Sequence, residues 1–148
     1  MNSNSVGVIA ELFLKNIRNI PAVICAFDML ETNYISQSIF YNSINKSKME
    51  FFGLAGKIIN LIEAALDKKI PQISSTDNDK LLLMRKNIAA FNLESDQLFK
   101  AIKVKFDELV DFVSFIQEKF ADLNFSLKET NRIRKEILII KYELKNRL

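Results

Sequence analysis

The chain has 148 residues, with 21 Lys plus Arg, 18 Asp plus Glu, three Gly, two Pro, one Cys and no His. The length suits one domain, residues 1–148, and 49% apolar with 26% charged residues is a globular composition. Absence of histidine removes the commonest general acid–base group and metal ligand, and one cysteine removes thiolate zinc sites and intramolecular disulfides.

A net charge of +3 at pH 7 is mildly basic, less than a dedicated nucleic-acid binder carries. The longest uncharged apolar stretch, Asn19 to Phe27, is closed by Arg18 and Asp28. It falls far short of the roughly 20 residues a membrane-spanning helix needs. Met1 to Val8 has no basic residue ahead of an apolar core and does not read as a secretory leader. A cytoplasmic protein without membrane contact is the expectation.

In chain order, Val8, Ile9, Leu12, Phe13 and Ile17 predict a helix from about Ser5 to Asn19. Pro21 either ends it or opens a second stretch to about Tyr34, and a single kinked helix is the alternative. From about Ser38 to Lys68 a wide apolar stripe includes Ile39, Phe40, Ile44, Phe51, Phe52, Ala55, Ile58, Ile59, Ile62 and Leu66. Gly53 and Gly56 fall on it and read as places for close helix contact. Gln72 to Asp79 reads as a loop, with Thr76 and Asp79 as a capping arrangement for a short helix to about Ala89. Asn92 or Ser95 is expected to cap the next helix, about Asp96 to Asp122. Ser126 with Glu129 forms a capping box for the last, which ends near Arg147. There Ile133, Ile137, Ile140 and Leu144 recur by three and four, a seam suited to another helix. No strand alternation competes, so the fold class is all-α, an antiparallel helical bundle of five or six helices.

Candidate chemistry is sparse. Asp107 with Asp111, and Glu63 with Asp67, share helix faces at i and i+4 and could bridge a divalent ion; both pairs read as solvated faces. Cys25, flanked by Val23, Ile24, Ala26 and Phe27, reads as a small buried hydrophobe. The twelve Phe read as core rather than base-stacking platforms. No metal and no cofactor are expected. Lys128 to Arg147 holds seven basic residues against Glu129, Glu136 and Glu143, a local net of +4. Arg132, Lys135, Lys141 and Lys145 are therefore candidate phosphate contacts, with partner-helix packing or homodimerisation through the seam as the competing use.

The stretch Leu83-Met84-Arg85-Lys86-Asn87-Ile88-Ala89-Ala90-Phe91, read with the earlier Ile39-Phe40-Tyr41-Asn42-Ser43, resembles the HEPN superfamily of small helical-bundle proteins. That family's signature is an Arg, a polar residue, spacers and a His, often within an Arg-Asn…Ala-His pattern. Its members fall within prokaryotic toxin–antitoxin, abortive-infection and CRISPR-linked systems. Arg85 matches the Arg, Lys86 or Asn87 the polar residue and Ala90 the Ala, within residues 35 to 125 in helix order. Phe91 stands where the His belongs. The resemblance implies metal-independent RNA cleavage at a dimer interface in active members, with the His moving protons and the Arg holding phosphate. Phenylalanine moves no proton, so a non-catalytic, homodimeric module binding RNA, nucleotide or a partner protein is the expectation, with Arg85, Lys86 and Asn87 as its contacts. The alternatives are an interaction or structural domain with no nucleic-acid role, and a sensory bundle holding a small ligand in a pocket lined by Phe and one Arg.

Overall fold

The computed structural model describes residues 3–91 and 96–147, with side chains from residue 7 onward. Five helices follow in order: α1 Ser3–Asn33, α2 Ser38–Leu66, α3 Ser75–Ala90, α4 Gln97–Lys119 and α5 Leu127–Arg147. A 3-10 turn, Phe120–Asp122, closes α4. Among the described residues there is no strand, and the architecture is the expected all-α bundle.

Helix α1 is the hub and packs on α2, α4 and α5, while α3 lies against α2 and α4. The ion pairs and side-chain hydrogen bonds give the directions. Asp28 meets Lys48 and Glu31 meets Asn45, so α1 and α2 are antiparallel. Tyr34 meets Asp96 while Asn19 meets Glu108, which sets α4 antiparallel to α1 as well. Glu11 meets Arg132, Arg18 meets Glu136 and Asp28 meets Arg147, so α1 and α5 run parallel.

Pro21 does not end the first helix. Ile17, Ile20, Val23 and Ile24 are buried on both sides of it, and this packing offsets the roughly 3 kcal/mol an internal proline costs. The core is built from Phe13, Phe27, Phe51, Phe99 and Phe106 with aliphatic partners from all five helices. Phe13 makes T-shaped pairs with Phe112 and Phe125 at centroid distances of 4.9 and 5.0 Å.

Several local expectations change. Ser74, not Thr76, caps α3, its hydroxyl accepting the Asp77 N–H at 3.1 Å. Asn92 and Ser95 lie outside the described residues; the α4 cap is Asp96, which accepts from Leu98 and Phe99. Ile39 sits 81% exposed, on the outer side of the first turn of α2, where Phe40 rather than Ile39 turns toward the core and packs on Tyr34. Gly53 and Gly56 are exposed, and a Cβ added at either would meet nothing within 4 Å, so they mediate no close helix contact. The Ser126–Glu129 capping box is present in full, each backbone N–H donating to the other's side chain.

The end of α2 differs too. The helix stops at Leu66 with Asp67 as its cap, and Lys68 takes the left-handed conformation at φ 60° that glycine favours. Lys68 and Lys69 donate their N–H groups back to Ala65 and Ala64, a Schellman closure. The Lys68 ammonium holds the Leu123 carbonyl at 2.7 Å, which ties this strained residue to the start of the α4–α5 connection.

Candidate functional site

Arg85 leaves α3 and crosses to α4. Its Nε donates to the Asp107 carboxylate at 3.1 Å, and its Nη2 donates to the Asp107 carbonyl at 2.9 Å and to Asp111 at 2.7 Å. Burial opposes the charge on Arg85, yet the two carboxylates outweigh it and raise the guanidinium pKa above its ordinary value. The i, i+4 carboxylates singled out as a possible ion bridge are thus the counter-ions of the arginine singled out as a phosphate contact. With Lys103 and Ala89 they line a groove of about 360 Å³ in which two positive charges face two negative ones. An added phosphate there meets the carboxylates as well as the guanidinium.

The other motif positions do not join Arg85. Lys86 and Asn87 are exposed. Asn87 and Phe91 border a separate groove of about 270 Å³ between α2 and α3, with Ser43, Lys46, Ser47 and Glu50. Phe91 also packs against Phe99. Phe91 lies six positions after Arg85, about 120° around the helix axis, which is why they open onto different grooves.

The basic residues of α5 divide into two groups. Arg132 reaches Glu11, Arg134 reaches Asp67 and Lys141 reaches Glu63, so the second carboxylate pair is also occupied by cations of this chain. Arg134 holds Asp67 below the usual carboxylate range. Lys135 and Lys145 make no ion pair among the described residues. The seam Ile133, Ile137, Ile140 and Leu144 is buried within the bundle, against α1 and α2, and cannot serve a second helix.

Two features had no prominence in the sequence. The first is an ion cluster joining α1, α2 and the last turn of α5. Lys48 lies 2.7 Å from the buried Glu31 and 3.2 Å from Asp28, and Arg147 reaches Asp28 at 2.5 Å. Burial alone would raise the Asp28 pKa, but hydrogen bonds from Arg147 and Lys48 hold it below the ordinary range. Cys25 is exposed here rather than buried, and accepts from Arg147 at 3.0 Å. It falls on the edge of α1 between its inward-facing neighbours Ile24 and Ala26. The adjoining cavity, lined by Ile24, Asp28, Lys48, Met49, Phe52 and Arg147, has about 170 Å³. It combines a phenylalanine and an arginine, but is small against the ~300–1,000 Å³ of typical ligand pockets.

The second feature is the outer face of α5. Leu138, Ile139 and Tyr142 are 67%, 44% and 67% exposed, on the side of the helix opposite the buried seam. With Lys135 they occupy positions i, i+3, i+4 and i+7. A helical wheel drawn from the seam would have placed them outside, since each lies one or two residues from a buried isoleucine.

Among the described residues no helix is long and apolar enough to cross a membrane, and no group of His, Cys, Asp and Glu is arranged to hold a metal ion. Comparison with protein-family models, with curated proteins and with solved structures finds no match to the chain.

Proposed function

We propose that the chain is a non-catalytic interaction module that docks another protein through the outer face of α5. The observation that carries this reading is the placement of Leu138, Ile139 and Tyr142 on one outward face of a helix whose inner face is already packed. Single exposed apolar residues are ordinary, whereas a run at helical spacing is the form in which amphipathic helices recognise one another. The charges support the same reading. Arg85, Arg132 and Lys141 are committed to carboxylates within the chain, which favours protein contact over phosphate contact at those positions.

Binding of fluorescent amphipathic helical peptides to the wild type and to Leu138→Lys/Tyr142→Lys tests it. Micromolar binding by the wild type, lost at least about tenfold in the variant with an unchanged thermal melt, is expected. Equal binding by both proteins overturns it.

A second reading is the non-catalytic HEPN-like module that binds RNA or nucleotide. Its support is the groove that Asn87 and Phe91 share with Lys46. RNA anisotropy on the wild type, Arg85→Ala and Lys46→Glu/Asn87→Asp tests it. No binding, or binding that none of these changes alters, removes the RNA version.

A further inference from the structure

Resting on the reading of α5 as the docking face, we infer that its partner is an acidic amphipathic helix, with apolar residues over Leu138, Ile139 and Tyr142 and carboxylates over Lys135 and Lys145. Ion pairs hold both flanks of α5 to the bundle. Arg132 and Glu136 reach Glu11 and Arg18 of α1 on one side, while Arg134 and Lys141 reach Asp67 and Glu63 of α2 on the other. Between the flanks runs an outward ridge whose cations, Lys128, Lys135 and Lys145, are exposed and make no ion pair among the described residues. No acid among the described residues of α5 lies on that ridge. Glu129 closes the capping box, Glu136 is held by Arg18, and Glu143, seven residues after Glu136, falls on the same α1 flank.

This layout sets the chemistry of the partner. Lys135 and Lys145 stand about 15 Å apart along the helix axis, with the three apolar side chains between them. A helix lying along the ridge meets both with carboxylates roughly ten residues apart, flanking an apolar stripe of its own. A hollow of about 620 Å³ at the first turn repeats the combination: exposed Leu127 beside Lys128, Arg132 and Lys135, with no carboxylate in its lining. Complementary charge of this kind selects the partner and steers its approach, and a second basic face is repelled.

Other anionic surfaces fit less well. A helix that lies in a lipid surface keeps its cations on the face opposite the buried apolar one. Here Lys135 projects about 60° from Leu138 and about 40° from Ile139, within the apolar face itself. A nucleic-acid strand offers closely and regularly spaced phosphates, whereas apolar side chains interrupt this row of cations for ~15 Å. One helix face is small against the ~1,600 Å² of a standard stable interface, so binding is expected in the micromolar range.

Fluorescence anisotropy with three labelled helical peptides of about 20 residues tests the assignment. The peptides share one leucine stripe and carry Glu, Gln or Lys at the flanking positions. The Glu peptide should bind the wild type at least about tenfold tighter than the Lys peptide, and should weaken as salt rises from about 50 to about 500 mM. Lys135→Glu/Lys145→Glu, with an unchanged thermal melt, should reverse that order. A Glu preference that survives this variant overturns the proposal. Equal binding of all three peptides, lost in Leu138→Lys/Tyr142→Lys, overturns the acidic partner but leaves the docking face. Binding of none overturns both, and co-sedimentation with vesicles of equal phosphatidylserine and phosphatidylcholine would then make the ridge a lipid-binding surface instead.

Discussion

The Arg85 guanidinium reaches the Asp111 carboxylate across the α3–α4 interface at 2.7 Å, one helical turn beyond its paired contact with Asp107. Helix α3 is polar over most of its surface and buries only Leu81, Met84, Ile88 and Asp77, whose N–H the Ser74 cap accepts, so this fork is a large part of what fixes it to α4. Arg85→Ala should lower stability by ~1 kcal/mol, the usual size for a partly exposed charged contact. A double-mutant cycle with Asp111→Ala should give a coupling of about 0.5–1 kcal/mol by chemical denaturation, falling in high salt. Arg85→Lys should recover little, since an ammonium cannot make the fork. Zero coupling would contradict a structural role for the pair.

The α3 cap separates two residues that look equivalent in the sequence. Ser74→Ala removes the acceptor for the Asp77 N–H and should cost about 1 kcal/mol. Thr76→Ala, inside the first turn and exposed, should stay within about 0.5 kcal/mol. Thermal melts of the two single variants decide between them, and the opposite ranking would place the cap at Thr76.

Gly53 and Gly56 lie in the interior of α2 facing open space. An alanine at each position meets no neighbour and removes backbone freedom from the unfolded chain. Each substitution should therefore raise stability by roughly 0.5–1 kcal/mol, nearly additively. A loss of stability would mean that this face of α2 is in close contact with something in solution.

The pH dependence follows from the aspartates. Asp28, Asp67 and Asp77 have pKa values lowered in the folded chain: Asp28 because Arg147 and Lys48 outweigh burial, Asp67 through Arg134, Asp77 through Lys57 and Ser74. A carboxyl lowered on folding adds stability above its unfolded value near 3.9, and that stability is lost as pH falls through the folded value. With no histidine in the chain, no imidazole titrates between pH 5 and 8. The melting temperature should be flat from about pH 5.5 to 8 and fall below about pH 4. Differential scanning calorimetry across this range checks it, and a step near pH 6.5 would contradict it.

Helix content, the Ser126–Glu129 cap and the buried seam of α5 were legible from spacing alone, because periodicity and capping act over three to seven residues. The two partners of Arg85 were legible only as types. Asp107 and Asp111 stand out as a carboxylate pair and Arg85 as a lone guanidinium, but 22 residues separate Arg85 from Asp107, and no local pattern joins them. Cys25 was misplaced for a related reason: apolar flanks signal burial of a stretch, while the helical angle decides each side chain.

The opening inventory acquires a different weight with the fold in hand. Composition and spacing determined that the chain is helical, that it offers no imidazole chemistry and no intramolecular disulfide, and that its apolar residues suffice for one core. Only the tertiary structure decided how the charges are used. Three of the six candidate cations, Arg85, Arg132 and Lys141, meet carboxylates from other helices, because packing five amphipathic helices brings their polar margins together at distances set by the core. It also decided which apolar side of α5 is left facing outward. A helix with isoleucines on one side and Leu138, Ile139 and Tyr142 on the other offers two faces to a partner, and the rotation of α5 about its own axis, with Ile133, Ile137, Ile140 and Leu144 turned to α1 and α2, determines which of them the bundle covers.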